Sequence, residues 1–333
     1  MRQSITRRSL LKGVAGAGAL AALGTVRGAA ASPGDAPKAA PGASRRKMSV
    51  SAWVWQFDTD GDPAFVRHVA ADRNMRVIVK THDGLNWMSK WDSSPKAVSG
   101  PEQVGVLRDY FGKAGVAFDA WCVPTGVDAV AEAEMCSQVI DAGAGQLYLD
   151  LEAGHDGNYW YGSNAEATRF GEELRRLQPK ATLIVAPDSR PWQAAHVPVA
   201  EFAEFCDAIA PQAYWKLFNT EANHRRLAES GFAPAPEGVT PELMMEVTAG
   251  TFERYRRKVV PIGDGEASAA DWSRFMGEAE RRGFEAVSVW RFGLPRTDVW
   301  DSIAEPAQTP FPEALASART IFRRWRRVEG LRS

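Results

Sequence analysis

The feature that most constrains this chain is an alternation repeated between Met48 and Ala304, in which a short apolar run is followed by a longer segment with apolar residues at three-to-four spacing. Buried parallel strands read as short apolar runs, and the crossovers between them read as amphipathic helices. The pattern therefore predicts a parallel sheet wrapped by helices. The predicted strands are Val50 to Phe57, Arg76 to Lys80, Ala117 to Val123, Gln146 to Leu151, Thr182 to Ala186, Ala208 to Tyr214, Lys258 to Ile262 and Ala286 to Trp290. Helices are expected over Gly126 to Ala142, Asn164 to Leu177 and Ser268 to Arg282, among others. Eight strands over about 250 residues is the count and size of a (β/α)8 TIM barrel. A doubly wound nucleotide fold would carry a Gly-rich turn after its first strand, and none follows Phe57. The expected fold is α/β, one TIM-barrel domain over residues 48–305.

The flanks are of a different kind. Thr6-Arg7-Arg8-Ser9-Leu10-Leu11-Lys12 precedes an Ala- and Gly-rich apolar run that ends at Ala29-Ala30-Ala31. This reads as a twin-arginine export signal over residues 1–31, recognised by the twin-arginine machinery and cleaved after Ala31. The run from Gly13 to Leu23 is too short to span a bilayer; an uncleaved short anchor is the alternative. Either way the destination is beyond the cytoplasmic membrane, in the periplasm, at the cell wall or secreted, with no integral membrane segment after cleavage. Residues 32–47 are rich in Ala, Pro, Gly and Ser without periodicity and read as a disordered linker. Residues 306–333 form a basic tail with Arg319, Arg323, Arg324, Arg326 and Arg327, expected as a solvated helix or, alternatively, an amphipathic helix lying on acidic polymer or lipid.

The net charge of −1 provides no field for nucleic acid or an anionic membrane surface. Cys122, Cys136 and Cys206 are odd in number and widely spaced, which predicts buried thiols rather than a disulfide framework or a metal site.

In a barrel of this kind the chemistry lies where strands end. The fourth strand ends in Tyr148-Leu149-Asp150-Leu151-Glu152, and alternation places Tyr148, Asp150 and Glu152 on one face. Two carboxylates this close raise each other's proton affinity, so one can stay protonated and serve as an acid. The second strand leads into His82 and Asp83 with Trp87 beyond, polar groups and an aromatic ring expected at the same mouth. No further His completes a zinc spacing, so neither metal nor cofactor is expected. Asp58, Asp60, Asp188 and Asp264 are further rim carboxylates. Trp53, Trp55, Trp87, Trp121, Trp160, Trp215 and Trp290 lie at or near strand ends; Trp53 and Trp121 are assigned to the core, and Trp215 and Trp290 to a sugar-stacking mouth. No GxSxG elbow or phosphate loop is present.

The stretch Leu149-Asp150-Leu151-Glu152 resembles the Asp-x-Glu signature on the fourth strand of chitinase-like and lysozyme-like glycoside hydrolases. Ala210-Pro211-Gln212-Ala213-Tyr214-Trp215 and Ser288-Val289-Trp290 are similar to strands six and eight of a bacterial group of glycoside-hydrolase-like barrels. Tyr148 stands where the longer chitinase pattern carries an additional Asp. The resemblance implies a glycosidase acting on a polysaccharide, for example one with N-acetylhexosamine such as peptidoglycan or chitin. It implies Glu152 as proton donor, Asp150 as the group orienting the sugar's acetamido nucleophile, and Tyr214 as a hydrogen-bond donor. Tyr148, Gln212, Trp215, Trp290, His82, Asp83 and Trp87 are the expected substrate-binding residues. A glycan-binding barrel without catalysis, associated with the cell wall, is the alternative.

Overall fold

The computed structural model describes residues 48–154 and 159–303. The export signal, linker and basic tail therefore lie outside the described residues, as do His155 and Asp156. None of the described helices is long and apolar enough to cross a membrane.

The eight staves are β1 (Ser49–Val54), β2 (Arg76–Asp83), β3 (Phe118–Val123), β4 (Gln146–Leu151), β5 (Thr182–Pro187), β6 (Ala208–Ile209), β7 (Lys258–Val259, resumed as Ile262–Asp264) and β8 (Ala286–Trp290). Each pairs in parallel with its neighbours in chain order, and β1 pairs with β8. The ring is therefore closed, as a TIM barrel requires. Helices follow the staves, among them Pro63–Asp72, Pro101–Gly112, Ala129–Asp141, Asn164–Leu177, Val199–Phe205, Pro241–Phe252 and Ala269–Arg281. Local chemistry sets their starts. Asp128 accepts from the Ala131 amide, Ser268 accepts from that of Asp271, and Ser163 with Glu166 forms a reciprocal capping box.

Several ends differ from expectation. β1 stops at Val54, because Phe57 opens a helical turn, while β2 runs on to Asp83. β6 is shorter than the run Ala208 to Tyr214, and β7 is interrupted within Lys258 to Ile262 before it runs on to Asp264; proline is the reason. Proline has no N–H to give to a ladder but keeps its carbonyl. Three successive staves use that asymmetry: the Gln212 amide donates to Pro187 O, that of Ile262 to Pro211 O, and that of Ser288 to Pro261 O. Isolated bridges at Asp188 with Gln212 and at Gln212 with Ile262 carry the sheet across the interruptions.

The barrel interior is a column of aromatic rings. Trp53 meets Trp121, Tyr148 and Trp290 edge to face, with centroids 5.3, 5.2 and 5.8 Å apart. Each buried indole N–H of the first two finds an acceptor, Ser288 Oγ for Trp53 and Val54 O for Trp121, both at 2.9 Å. Trp53 and Trp121 are thus core residues. At the floor, where strands begin, Arg76 grips Asp119 through two bonds of 2.7 and 2.6 Å. Burial pushes the Asp119 carboxyl above its ordinary range and the guanidinium pulls it back, while the carboxylate holds Arg76 more firmly protonated. Removing one partner of such a pair leaves an uncompensated charge. Asp119→Ala is expected to destabilise the fold by about 3 kcal/mol, the low end for buried pairs because Arg76 keeps some solvent contact. Urea unfolding checks this, and a change below about 1 kcal/mol contradicts it.

Candidate active site at the mouth of the barrel

The backbone pairing that closes the barrel also assembles the site. Gln212 is held by its amide on Pro187 O and by bridges to Asp188 and Ile262, which aims its side chain toward β4. Its carboxamide nitrogen donates to Asp150 Oδ1 at 2.8 Å and to Glu152 Oε1 at 2.7 Å. One NH2 group carries two hydrogens, one for each carboxylate. Asp150 is buried and Glu152 is half-buried, so the second is the more approachable acid. Beyond Glu152 the chain is pinned where the Trp160 amide donates to Glu152 O and the Tyr161 amide to Thr125 O. Trp160 itself packs on Phe202.

Trp290 ends the aromatic column. It is half-buried, 5.5 Å from Trp121 between centroids, and its carbonyl accepts from the Gly265 amide. A Cβ at Gly265 would stand 2.6 Å from that carbonyl oxygen, so this approach requires glycine. On β2, Lys80 is buried with its ammonium over the Trp121 ring at 4.7 Å and on Asp83 Oδ1 at 2.7 Å. Tyr214 is buried against Phe218, on whose ring the Arg190 guanidinium lies at 4.1 Å.

The other rim acids are engaged structurally. Asp188 is gripped by Arg190. Asp58 accepts from the amide and hydroxyl of Ser93. Asp264 accepts from the Leu217 and Glu266 amides, and burial nonetheless pushes its carboxyl up. Asp60 pairs with Arg291 and accepts from the Trp55 amide; burial raises it to about 6 against the pull of Arg291. Arg291 in turn covers the half-buried Trp55 ring at 4.8 Å.

Among the residues expected at the mouth, Asp150, Glu152 and Gln212 are joined directly. Others face elsewhere. His82 points out of the barrel to Cys136 on helix Ala129–Asp141, because a register shift between Lys80 and His82 inverts the alternation of β2. Trp87 leans on His82, behind the strand rather than beside Glu152. Trp215 is buried against Trp272 and Phe275 of helix Ala269–Arg281. It stands three residues from Gln212, and an odd separation along an extended run puts two side chains on opposite faces. Tyr148 does face inward, but its hydroxyl donates to Gln146 at the floor, and burial lifts the phenol well above its ordinary value. Three cations at or near the mouth, Lys80, Arg190 and Arg291, were not singled out from the sequence. Their signal was the inward parity of Lys80 and the proximity of both arginines to strand ends.

No family model matches this chain, and no curated protein matches it. Solved structures do. Active domain 2 of the thermostable chitinase from Pyrococcus furiosus is 12% identical with a TM-score of 0.50, the match covering 77% of this chain and 93% of that one. The spore cortex-lytic enzyme SleL from Bacillus cereus is 9% identical with a TM-score of 0.51, covering 79% and 75%. A class V chitinase from Pseudomonas fluorescens Pf-5 is 9% identical with a TM-score of 0.51, covering 77% and 98%. What fold and comparison define is a TIM barrel; at these identities the likeness to the chitinases is one of fold.

Replacing Gln212 by Glu tests the bridge. Three carboxylates in one place cannot all ionise, so the folded state holds a proton more tightly than the unfolded chain, whose carboxylates titrate near about 4. A raised folded value stabilises below the unfolded pKa, and that contribution is lost as pH rises through the folded one. Gln212→Glu should therefore be close to wild type at pH 4 and lose about 2 to 3 kcal/mol by pH 7. Unfolding curves across that range check it, and a penalty independent of pH argues against the bridge.

Proposed function

We propose that this protein is an exported glycoside hydrolase acting on a polysaccharide containing N-acetylhexosamine, with Glu152 as proton donor. The observation that carries the reading is the pair Asp150 and Glu152 at the end of β4, spanned by the Gln212 amide. The structural neighbours support it, being by name chitinases and a spore cortex-lytic enzyme.

Residues two apart on a strand stand about 6.5 Å apart at Cα and point the same way. Both acids thus meet a sugar from one side, whereas a double displacement by enzyme groups needs carboxyls flanking the bond. Substrate assistance fits this geometry. Glu152, the more exposed acid, protonates the glycosidic oxygen and later takes a proton from water. Asp150, buried and held by Gln212, orients the acetamido group and supports the positive charge developing on it. Tyr214 is assigned as a hydrogen-bond donor to the same group, Trp290 as the apolar platform under the sugar ring, and Asp83 as a polar contact on the β2 side.

Glycan binding without turnover is the second reading, and one observation favours it: the Gln212 amide occupies an oxygen of each acid, Asp150 Oδ1 and Glu152 Oε1. The two readings separate on chitin oligosaccharides and peptidoglycan fragments, with products read by mass spectrometry. Glu152→Gln is expected to slow turnover by about a hundredfold to ten-thousandfold while affinity stays within a few fold, because Gln keeps the shape but has no proton to give. Wild-type turnover by that variant sinks the mechanism. Binding without cleavage by the wild type, abolished in Trp290→Ala, establishes the lectin-like reading.

Export rests on Arg7-Arg8 and the apolar run behind them. Changing both arginines to lysine should retain the precursor in the cytoplasm, as read by fractionation and immunoblotting. Undiminished export of that variant refutes the assignment.

A further inference from the structure

Outside the mouth, the bulge in β2 creates a second constellation. His82 and Cys122 are register partners on β2 and β3, and both face the helix layer. Cys136 on helix Ala129–Asp141 descends onto them, and all three side chains are 1% exposed. Cys122 Sγ lies 3.7 Å from Cys136 Sγ, which lies 3.6 Å from His82 Nε2. The three ligand atoms fall within 4.8 Å of one another.

The hydrogen bonds fix which imidazole nitrogen faces the sulfurs. Thr81 Oγ1 donates its one hydrogen to Trp121 O at 3.1 Å, so toward His82 Nδ1, 2.8 Å away, it can only accept. Nδ1 therefore carries the proton and Nε2 presents its lone pair to Cys136. An imidazole anchored through one N–H with the other nitrogen bare is the form in which histidine binds metals.

We infer that His82, Cys122 and Cys136 form a buried binding site for a single thiophilic metal ion, zinc(II) or copper(I). Metal–sulfur and metal–nitrogen bonds of about 2.3 and 2.0 Å at tetrahedral angles put sulfur about 3.8 Å from sulfur and about 3.5 Å from nitrogen. Two of the three edges found here are near those values, and the third, from Cys122 Sγ to His82 Nε2, lies within 4.8 Å and would close onto the ion on binding. Two thiolates and an imidazole form a soft donor set, which selects zinc or copper(I) over magnesium or calcium. The nearby acid Glu132 supplies no fourth ligand. Its oxygens accept from the amides of Thr125, Gly126, Val127 and Asp128 and from the Thr125 hydroxyl. Binding displaces the two thiol protons, and a zinc ion with two thiolates and a neutral imidazole is electrically neutral, which suits a site closed to water. The ion would enter while the chain folds, before helix Ala129–Asp141 packs down. It would then tie that helix to β2 and β3 on the side of the sheet away from Glu152.

The test uses the full chain, expressed with zinc or with copper and also refolded from denaturant with a chelator or with each ion under reducing conditions. One equivalent of zinc or of copper is expected by elemental analysis, the ion retained identifying the native occupant, and refolding with it should raise the thermal midpoint. Cobalt(II) in its place should give a thiolate-to-metal absorption band. Cys136→Ser should lower the affinity at least tenfold and remove the band. Cys206→Ser, also a buried thiol but outside the cluster, should leave both unchanged. Absence of stoichiometric binding by either ion overturns the inference, as does a Cys122–Cys136 disulfide in the protein refolded with metal. So does equal binding by wild type and Cys136→Ser, whatever the activity on glycans.

Discussion

The structure turns on one residue's backbone. Gln212 sits where the sheet must pass from β5 to β7 across two prolines: its amide donates to Pro187 O on one side, and its neighbours Pro211 and Ala213 bond Ile262 on the other. Without those bonds the short β6 would leave an open edge between its neighbours, and the ring of staves would not close on this side. The same anchoring leaves the side chain no choice of direction, and its amide reaches Asp150 and Glu152 together. Closure of the barrel and geometry of the carboxylates are thus one event: a chain that folds correctly has also set the spacing of its acids.

A second constraint is charge in a confined space. Isolated charge is expensive in a barrel, and around the Gln212-bridged acids other charged residues are paired: Arg76 with Asp119 at the floor, then Lys80 with Asp83, Asp60 with Arg291 and Asp188 with Arg190 toward the mouth. Each cation also meets an aromatic surface or a carboxylate that fixes its position. The rim around the two acids is consequently polar with its charges paired, which accords with the neutral glycan proposed above.

The eight staves were legible because a buried parallel strand leaves a short apolar run that little else in a soluble protein produces. The placement of Asp150 and Glu152 on one face at the end of β4 was legible because side chains alternate regularly along a strand. What the sequence hid has physical causes. The bulge between Lys80 and His82 is a change of register of a kind that no apolar periodicity records, and it sends His82 backward and Asp83 inward. Pro211 and Pro261 break runs that read as continuous, since a missing N–H does not alter hydropathy. Trp215 was recoverable, because its odd separation from Gln212 already put the two on opposite faces. The grouping of His82, Cys122 and Cys136 was not, as its members are brought together by sheet register and helix packing rather than by any short spacing.

The aromatic column has an optical consequence. Trp53, Trp121 and Trp290 hold their rings edge to face at 5.3 to 5.8 Å, close enough for their electronic transitions to couple and for excitation to pass among them. Two of these indoles are sealed in the core, and the third, Trp290, is half-buried at the end of the column. The near-ultraviolet dichroism of the native protein should therefore be strong and extend to the ring proposed as the sugar platform. A ring laid against Trp290 would perturb a signal belonging to the whole column, giving the chain a built-in reporter of occupancy that needs no label.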